Sequence, residues 1–280
     1  MQSKNKGILC PNCGKIVSSD EPVCPYCGHR RPGARWKSGI GKSLFADPTD
    51  LVRFIIYINV GMFILSLLLS AQRIGMGVNP LGMLSPDNRV LLALGESGAI
   101  PVFRDHRWWT LISANYLHGG LLHIIFNMLA FNQLGPLVIR EFGPFRFLVI
   151  YCLGGAIGFF LSSMAGVAYT IGASASICAL IGAILYYSKS RGGTYGHALY
   201  RQVSGWVLGL FVFGLLVPGI DNWGHGGGLL GGVLLGYLIG YSERRPENFI
   251  HRLFAYCLVS VTGFILAGVV SSVIISLFGR

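Results

Sequence analysis

Tyr169-Thr170-Ile171-Gly172-Ala173-Ser174-Ala175-Ser176-Ile177-Cys178-Ala179-Leu180-Ile181-Gly182-Ala183 is the stretch on which the reading of this chain turns. It is apolar and built of small residues, with a serine near its head. A hydroxyl removed from bulk water must find a hydrogen-bond partner, so a polar group in such a run is either packing or chemistry. Small residues also line close helix interfaces in membranes, and Ser174 taken alone fits that simpler role. The choice depends on what the rest of the chain places beside it.

Of the 280 residues, 52% are hydrophobic and 12% charged, with a mean hydropathy of +0.59; a soluble chain would be about one quarter charged. The expected fold is therefore all-α and polytopic, helices packed in a lipid bilayer. The formal charge of +11 does not point to nucleic acid. The basic residues are scattered through short inter-span stretches instead of gathering on one face, and membrane topology accounts for them. Residues 1–50 hold no apolar segment long enough for a signal-peptide core, so the N-terminus is expected to stay where it is made.

The opening carries Cys10-Pro11-Asn12-Cys13-Gly14 and then Cys24-Pro25-Tyr26-Cys27-Gly28. Two Cys-x-x-Cys knuckles bring four thiolates, Cys10, Cys13, Cys24 and Cys27, within reach of one tetrahedral Zn²⁺, and the glycine after each lets the turn fold back toward sulfur. A pair of disulfides or redox motifs fits less well, because a cytosolic segment is kept reduced and no thioredoxin-like pattern surrounds it. So small a ribbon, placed at residues 1–35, would draw its folding energy from a structural zinc. Residues 36–50 continue a basic stretch that begins with Arg30, Arg31 and Arg35 and includes Lys37 and Lys42; it reads as a flexible linker against an anionic leaflet.

Apolar runs follow at about 52–71, 118–139, 145–165, 173–188, 203–217, 225–241 and 253–278, approaching or exceeding the ~20 residues that cross the hydrocarbon. Arg53, Arg140, Arg146, Lys189, Arg191, Arg201, Arg244, Arg245 and Arg252 fall on one side of these spans, while the loops near 166–171 and 218–224 hold no basic residue. The positive-inside rule then puts the N-terminus in the cytoplasm and the C-terminus outside. The long segment 72–117 is an exception, placed outside despite Arg73, Arg89, Arg104 and Arg107. Its Trp108-Trp109 pair suggests a substructure dipping into the interface.

With span 1 running outward, spans 2, 4 and 6 all begin at the outer face. Their first turns hold His118, His123 and Asn127; Ser174; and His225. His123 and Asn127, four residues apart, share one helix face, whereas His118 lies about 140° away on the same wheel and is expected to point elsewhere. Span 6 carries glycine at every fourth position, Gly224, Gly228, Gly232, Gly236 and Gly240, and Ala175, Ala179, Gly182 and Ala183 of span 4 are its natural mate. That approach would bring Ser174 to His225. A neutral imidazole is the usual base for a serine, and the Ser174 N–H, the Asn127 amide and the His123 ring could serve a tetrahedral oxyanion. Asp221 reads as a loop or cap residue, which leaves a Ser–His dyad without an acid. The reaction class that follows is acyl transfer to water.

These residues resemble the rhomboid intramembrane serine proteases. His118-x4-His123-x3-Asn127 is similar to that family's second-span motif, Gly172-Ala173-Ser174 to its Gly-x-Ser turn, and His225 with the small residues after it to its general base. The resemblance covers roughly residues 50–241. It implies a six-helix bundle over 51–241 with an extra C-terminal helix in 242–280, Ser174 as nucleophile, His225 as base, His123 and Asn127 as oxyanion donors, and His118 as structural. The chain departs from the family's common pattern at Ala175, where glycine is usual, and at Arg107-Trp108-Trp109-Thr110, where many members carry a Trp-Arg pair. Cys178, one turn below the serine, is expected to pack, and Cys152 and Cys257 read as apolar residues.

The function implied is an endopeptidase that cuts transmembrane protein substrates near their extracytoplasmic ends, in a multi-pass protein of a bacterial cytoplasmic membrane. The competing reading is a catalytically weak or inactive rhomboid-like factor that binds membrane clients or serves quality control; relatives of that kind lack the serine or the histidine, and both are present here. A transporter is disfavoured because the spans hold no acidic residue to couple ions. No cofactor beyond the ribbon zinc and no nucleic acid is expected. Besides substrates, the bilayer is the expected partner, and the ribbon either recruits a cytoplasmic partner or caps the N-terminus.

Overall fold

The computed structural model describes residues 7–10, 14–18, 21–28, 48–70, 75–76 and 83–278. Cys13, Arg73 and the linker residues Arg30, Arg31, Arg35, Lys37 and Lys42 lie outside the described residues. The chain divides into two compact units, Met1–Leu51 and Val52–Arg280.

In the first unit β1 (Gly7–Leu9) and β2 (Ile16–Ser18) pair antiparallel with Ile8 opposite Val17. The cysteine turns fold back as their glycines predict. Gly14 N donates to Cys10 O and Gly28 N to Cys24 O, each at 2.9 Å. The two glycines take φ of 69° and 72°, a region that costs residues with a Cβ. Cys10, Val17 and Cys24 are buried together, with Ile8 and Cys27 against them. Such a handful of side chains is too small a core to hold a fold without a staple.

Among the described residues the second unit is built on seven long helices: α1 (Pro48–Leu69, which belongs to it from Val52 onward), α3 (Leu121–Phe142), α4 (Pro144–Met164), α5 (Ser174–Arg191), α6 (Gly193–Leu216), α7 (Asn222–Ile239) and α8 (Phe249–Phe278). A short α2 (Asn88–Leu94) and three single-turn helical pieces between Ile100 and Tyr116 occupy the segment after α1. Five of the long helices, α1, α3, α4, α6 and α8, are long and apolar enough to cross a membrane on that criterion alone. The other two expected spans, α5 and α7, have 18 residues each, about 27 Å of helix. Serine, glycine and terminal charges dilute their hydropathy, yet they form the centre of the bundle.

That centre is a contact between backbones. A Cβ added to Gly228 would fall on the Ala175 carbonyl, one on Gly232 would fall on the Ala179 carbonyl, and one on Gly236 would lie 3.4 Å from Ala183 Cα. The same offset recurs each time, so α5 and α7 run parallel and in register along the glycine stripe and its small-residue mate. Gly182 meets the Leu229 carbonyl in the same way, and α4 closes the third side, Gly158 facing the Gly224 carbonyl and the Ala175 methyl. In lipid no hydrophobic gain drives helices together, so van der Waals contact at this distance carries the association.

The segment before α3 is a braced substructure. Asp87 caps α2, accepting from Arg89 N at 2.8 Å, and Gly95 ends it at φ 104°. Arg107 donates to Leu92 O at 2.8 Å and lies 4.6 Å over the Trp109 ring, while Phe103, Trp108 and Phe160 form an aromatic cluster. The Arg-Trp-Trp order therefore still ties this loop down. Ser97 pairs with Thr170 in an antiparallel bridge, which fastens the segment to the loop before α5.

Arg146, one of the basic residues that the sequence assigns to the cytoplasmic side, is the third residue of α4 and fully buried. Its guanidinium donates to Phe142 O at 3.2 Å and Arg245 O at 2.9 Å, and Glu247 accepts from the Phe145 and Arg146 amides, both at 2.8 Å. Charge is tolerated at this depth because carbonyls and a helix N-terminus receive it.

Because Gly232 has no room for a side chain, Gly232→Val is expected to cost upward of about 3 kcal/mol and to abolish the cooperative unfolding transition of the purified protein. Gly226→Ala, where an added Cβ meets nothing within 4 Å, should leave that transition in place.

Candidate active site and metal centre

Ser174 is the first residue of α5, and the N-cap before it, Ala173, has no side chain with which to cap. The first-turn N–H groups therefore face outward beside the Ser174 hydroxyl at the positive end of the helix dipole. Gly172 precedes them at φ 126°. A Cβ there would sit 2.6 Å from His123 Nε2 and 3.6 Å from Ser174 Oγ. Absence of a side chain at this one position is thus what lets the imidazole and the hydroxyl share a cleft.

His123, in the first turn of α3, accepts at Nδ1 from the Gly119 amide, 3.4 Å away. In a neutral ring that acceptor role leaves the proton on Nε2, the nitrogen facing Gly172 and Ser174. Asn127 is buried one turn further along and donates to His123 O at 2.8 Å. His225 lies in the first turn of α7, level with Ser174 by the register of the two helices, and half-buried. Its Nδ1 is buried with no hydrogen-bond partner among the described residues. Among the described residues Ser174 Oγ likewise makes no hydrogen bond, to His225 or to any other group; hydrogen bonds of this kind in a cleft commonly tighten only when a ligand binds.

His118 does not point elsewhere. Its ring is fully buried and packs edge-on against His123 at 5.1 Å. The helical-wheel argument failed because α3 begins only at Leu121, leaving His118 in the extended turn before it. Ala175 also lies away from the cleft. Its methyl is buried with Ala114 and Phe159 and against Gly158. Cys178 is buried, as a packing residue would be.

Sequence reasoning underrated Asp221. It caps α7, accepting from Gly224 N at 2.8 Å, and its other oxygen accepts from Ser162 Oγ at 2.6 Å and Thr170 Oγ1 at 2.7 Å. One carboxylate thereby joins the end of α4, the loop that delivers Ser174 and the helix that delivers His225. A one-letter string shows the cap but not the two hydroxyls, which are 59 and 51 residues away.

In the ribbon the Sγ atoms of Cys10, Cys24 and Cys27 all lie within 4.8 Å of one another, with Cys10 and Cys27 at 3.7 Å, and none forms a disulfide. A tetrahedral zinc with Zn–S of about 2.3 Å sets its sulfurs about 3.8 Å apart, which the Cys10–Cys27 pair matches, and Cys24 completes a group of three soft donors within 4.8 Å.

Comparison with known proteins follows the same division. Residues 105–242 match the rhomboid domain and residues 7–30 a zinc-ribbon domain. The chain is 35% identical over 147 residues to "Rhomboid protease GluP" of Bacillus subtilis (strain 168), which is 52% of this chain and 29% of that protein. It is 32% identical over 152 residues to "RHOMBOID-like protein 4" of Arabidopsis thaliana, 54% and 38% of the two chains. To "RHOMBOID-like protein 1" of the same plant it is 28% identical over 200 residues, 64% and 50%. The match spans half or less of these relatives' own length.

Removing the Asp221 staple by Asp221→Ala strands a helix N-terminus and two hydroxyls, and is expected to lower unfolding stability by about 2–3 kcal/mol. Asp221→Asn, which keeps the cap oxygen, should stay within about 1 kcal/mol of the wild type in the same thermal measurement.

Proposed function

Since the chain belongs to the rhomboid family through its domain over residues 105–242, we propose that it is an intramembrane serine endopeptidase. Its substrates would be membrane proteins, hydrolysed in or next to their transmembrane segments. The observation that carries this reading is the Gly172 gap. It sets a histidine N–H and a serine hydroxyl on either side of one small space, beside an uncapped helix start and level with a second histidine.

His225 takes the Ser174 proton as Oγ attacks the scissile carbonyl carbon. The oxyanion that forms meets the Ser174 backbone N–H, the Nε2–H of His123 and the Asn127 amide, donors held in place before substrate arrives. As the intermediate collapses, His225 passes its proton to the leaving amine, and water then repeats the cycle on the acyl-enzyme. Asp221 takes no part as a triad acid, because its oxygens are committed to Gly224, Ser162 and Thr170. His118 supports the His123 ring.

The basic residues near the α3–α4, α5–α6 and α7–α8 connections support placing that end of the bundle in the cytoplasm, with the active site at the extracytoplasmic end of a bacterial cytoplasmic membrane. Thiolate spacing supports a structural Zn²⁺ in the ribbon, with Cys13 as its fourth ligand beside Cys10, Cys24 and Cys27; the metal would supply folding energy and no step of the chemistry.

Cleavage of a helix-destabilised transmembrane substrate and fluorophosphonate labelling of Ser174 test the enzyme. Ser174→Ala and His225→Ala are each expected to remove detectable cleavage while the protein still accumulates, and Asn127→Ala to slow it by about 10²-fold. Intact cleavage in either of the first two variants would remove the dyad, and an unlabelled wild-type serine would leave the client-binding reading. For the ribbon, elemental analysis should give one zinc per chain, falling toward none in Cys24→Ser.

A further inference from the structure

At the end of the bundle opposite Ser174, a cavity of about 520 Å³ opens between α5, α6 and α7. The size suits a bound small molecule. α6 and α7 are joined near the active-site end, where Asn222 Nδ2 donates to Gly214 O at 2.9 Å. The cavity lies between their other ends, with Tyr200 from α6 facing Val233 and Tyr237 from α7. Its wall is apolar: Leu185 and Val233 beside the edge-to-face pair of Tyr186 and Tyr237, whose centroids are 5.9 Å apart. Beyond it, Leu230, Leu234, Tyr237 and Leu238 form an exposed apolar strip along α7.

The rim has the opposite character. Lys189, Ser190 and Arg244 line it, and among the described residues no carboxylate does. Neighbouring cations at this end are already paired, Arg140 with Glu141 at 2.7 Å and Arg191 with Glu243 at 2.9 Å. Lys189 and Arg244 have no acidic partner among the described residues. The Arg244 guanidinium is held 5.2 Å from the Tyr241 ring centroid, on the ring's face, so its charge stays at the rim. Two uncompensated cations and two hydroxyls, those of Ser190 and Tyr200, thus stand over a greasy slot that opens beside a membrane-facing strip.

We propose that this cavity binds one anionic phospholipid, its phosphodiester between Lys189 and Arg244 and an acyl chain along Leu185, Tyr186, Val233 and Tyr237. The charge on the rim asks for an anion, and the wall asks for a hydrocarbon joined to it. Basic pockets between membrane helices take lipid headgroups on these grounds. A free phosphate would leave the wall unfilled, and a zwitterionic lipid would leave the two cations without a net counter-charge. The inference stands apart from the proposed peptidase activity, since none of these residues lies near Ser174.

The test uses the full-length protein, delipidated in neutral detergent, with native mass spectrometry reading retention of phosphatidylglycerol against phosphatidylcholine of the same acyl chains. Each cation near the membrane surface contributes roughly fivefold, so phosphatidylglycerol is expected to be retained about twenty-five-fold better. Lys189→Ala with Arg244→Ala should bring the two lipids within about twofold, whereas Arg201→Gln, an exposed cation outside the cavity, should leave the preference unchanged. Val233→Trp should expel the lipid with both charges intact, which keeps the result readable should the double variant lose its unfolding transition. Equal retention of both lipids by the wild type overturns the proposal. So does a preference that survives the double variant, or displacement of the lipid by glycerol phosphate alone at equal concentration.

Discussion

Everything in the membrane unit depends on two helix backbones touching. A water-soluble bundle can be held by the burial of leucines, but in lipid a leucine gains nothing by leaving one hydrocarbon for another, and adhesion must come from close packing. The α5–α7 seam meets that demand by removing side chains on one helix and shortening them on the other, until carbonyl oxygens lie where a Cβ would be. Because the seam is parallel, it also aligns the two helix starts. Ser174 and His225 owe their common level to it.

A seam of small residues leaves the ends of the helices free to fray, and this protein fastens them with polar groups. At the end that holds Ser174 the Asp221 carboxylate gathers a hydroxyl from α4, one from the loop before α5 and an amide of α7. At the opposite end buried Arg146 and half-buried Glu247 tie the start of α4 to the connection between α7 and α8. Each charge sits where backbone dipoles or hydroxyls answer it, the condition under which a charge can be kept away from water at all. The candidate catalytic groups are treated differently. The α5 start has no side-chain cap, and the ring nitrogens of His118 and Nδ1 of His225 have no hydrogen-bond partner among the described residues.

Much of this was legible in the sequence because it rests on periodicity. Glycine at every fourth residue from Gly224, the matching Ala175 and Ala179, and the glycine that follows each cysteine pair are local patterns with a single geometric meaning. What escaped was tertiary. Ser162 and Thr170 show no sign in the sequence that they meet Asp221, and Arg146 looks like any basic residue between spans until its carbonyl partners are seen. His118 was misread for a simpler reason: a helical wheel was drawn across residues that precede the helix. Hydropathy likewise undercounts the two central helices, since the small residues that let them pack are also the least greasy.

The shared register of α5 and α7 also determines where this protein can change its length over evolutionary time. Connections such as the one between α5 and α6 can gain or lose residues without disturbing the seam. Inside Ala175–Ala183 or Gly228–Gly236 a single inserted residue would rotate everything beyond it by about 100°, bringing bulky neighbours into a crevice built for hydrogen atoms. Descendants of this sequence are free to edit their loops, but within those two short intervals they must keep count.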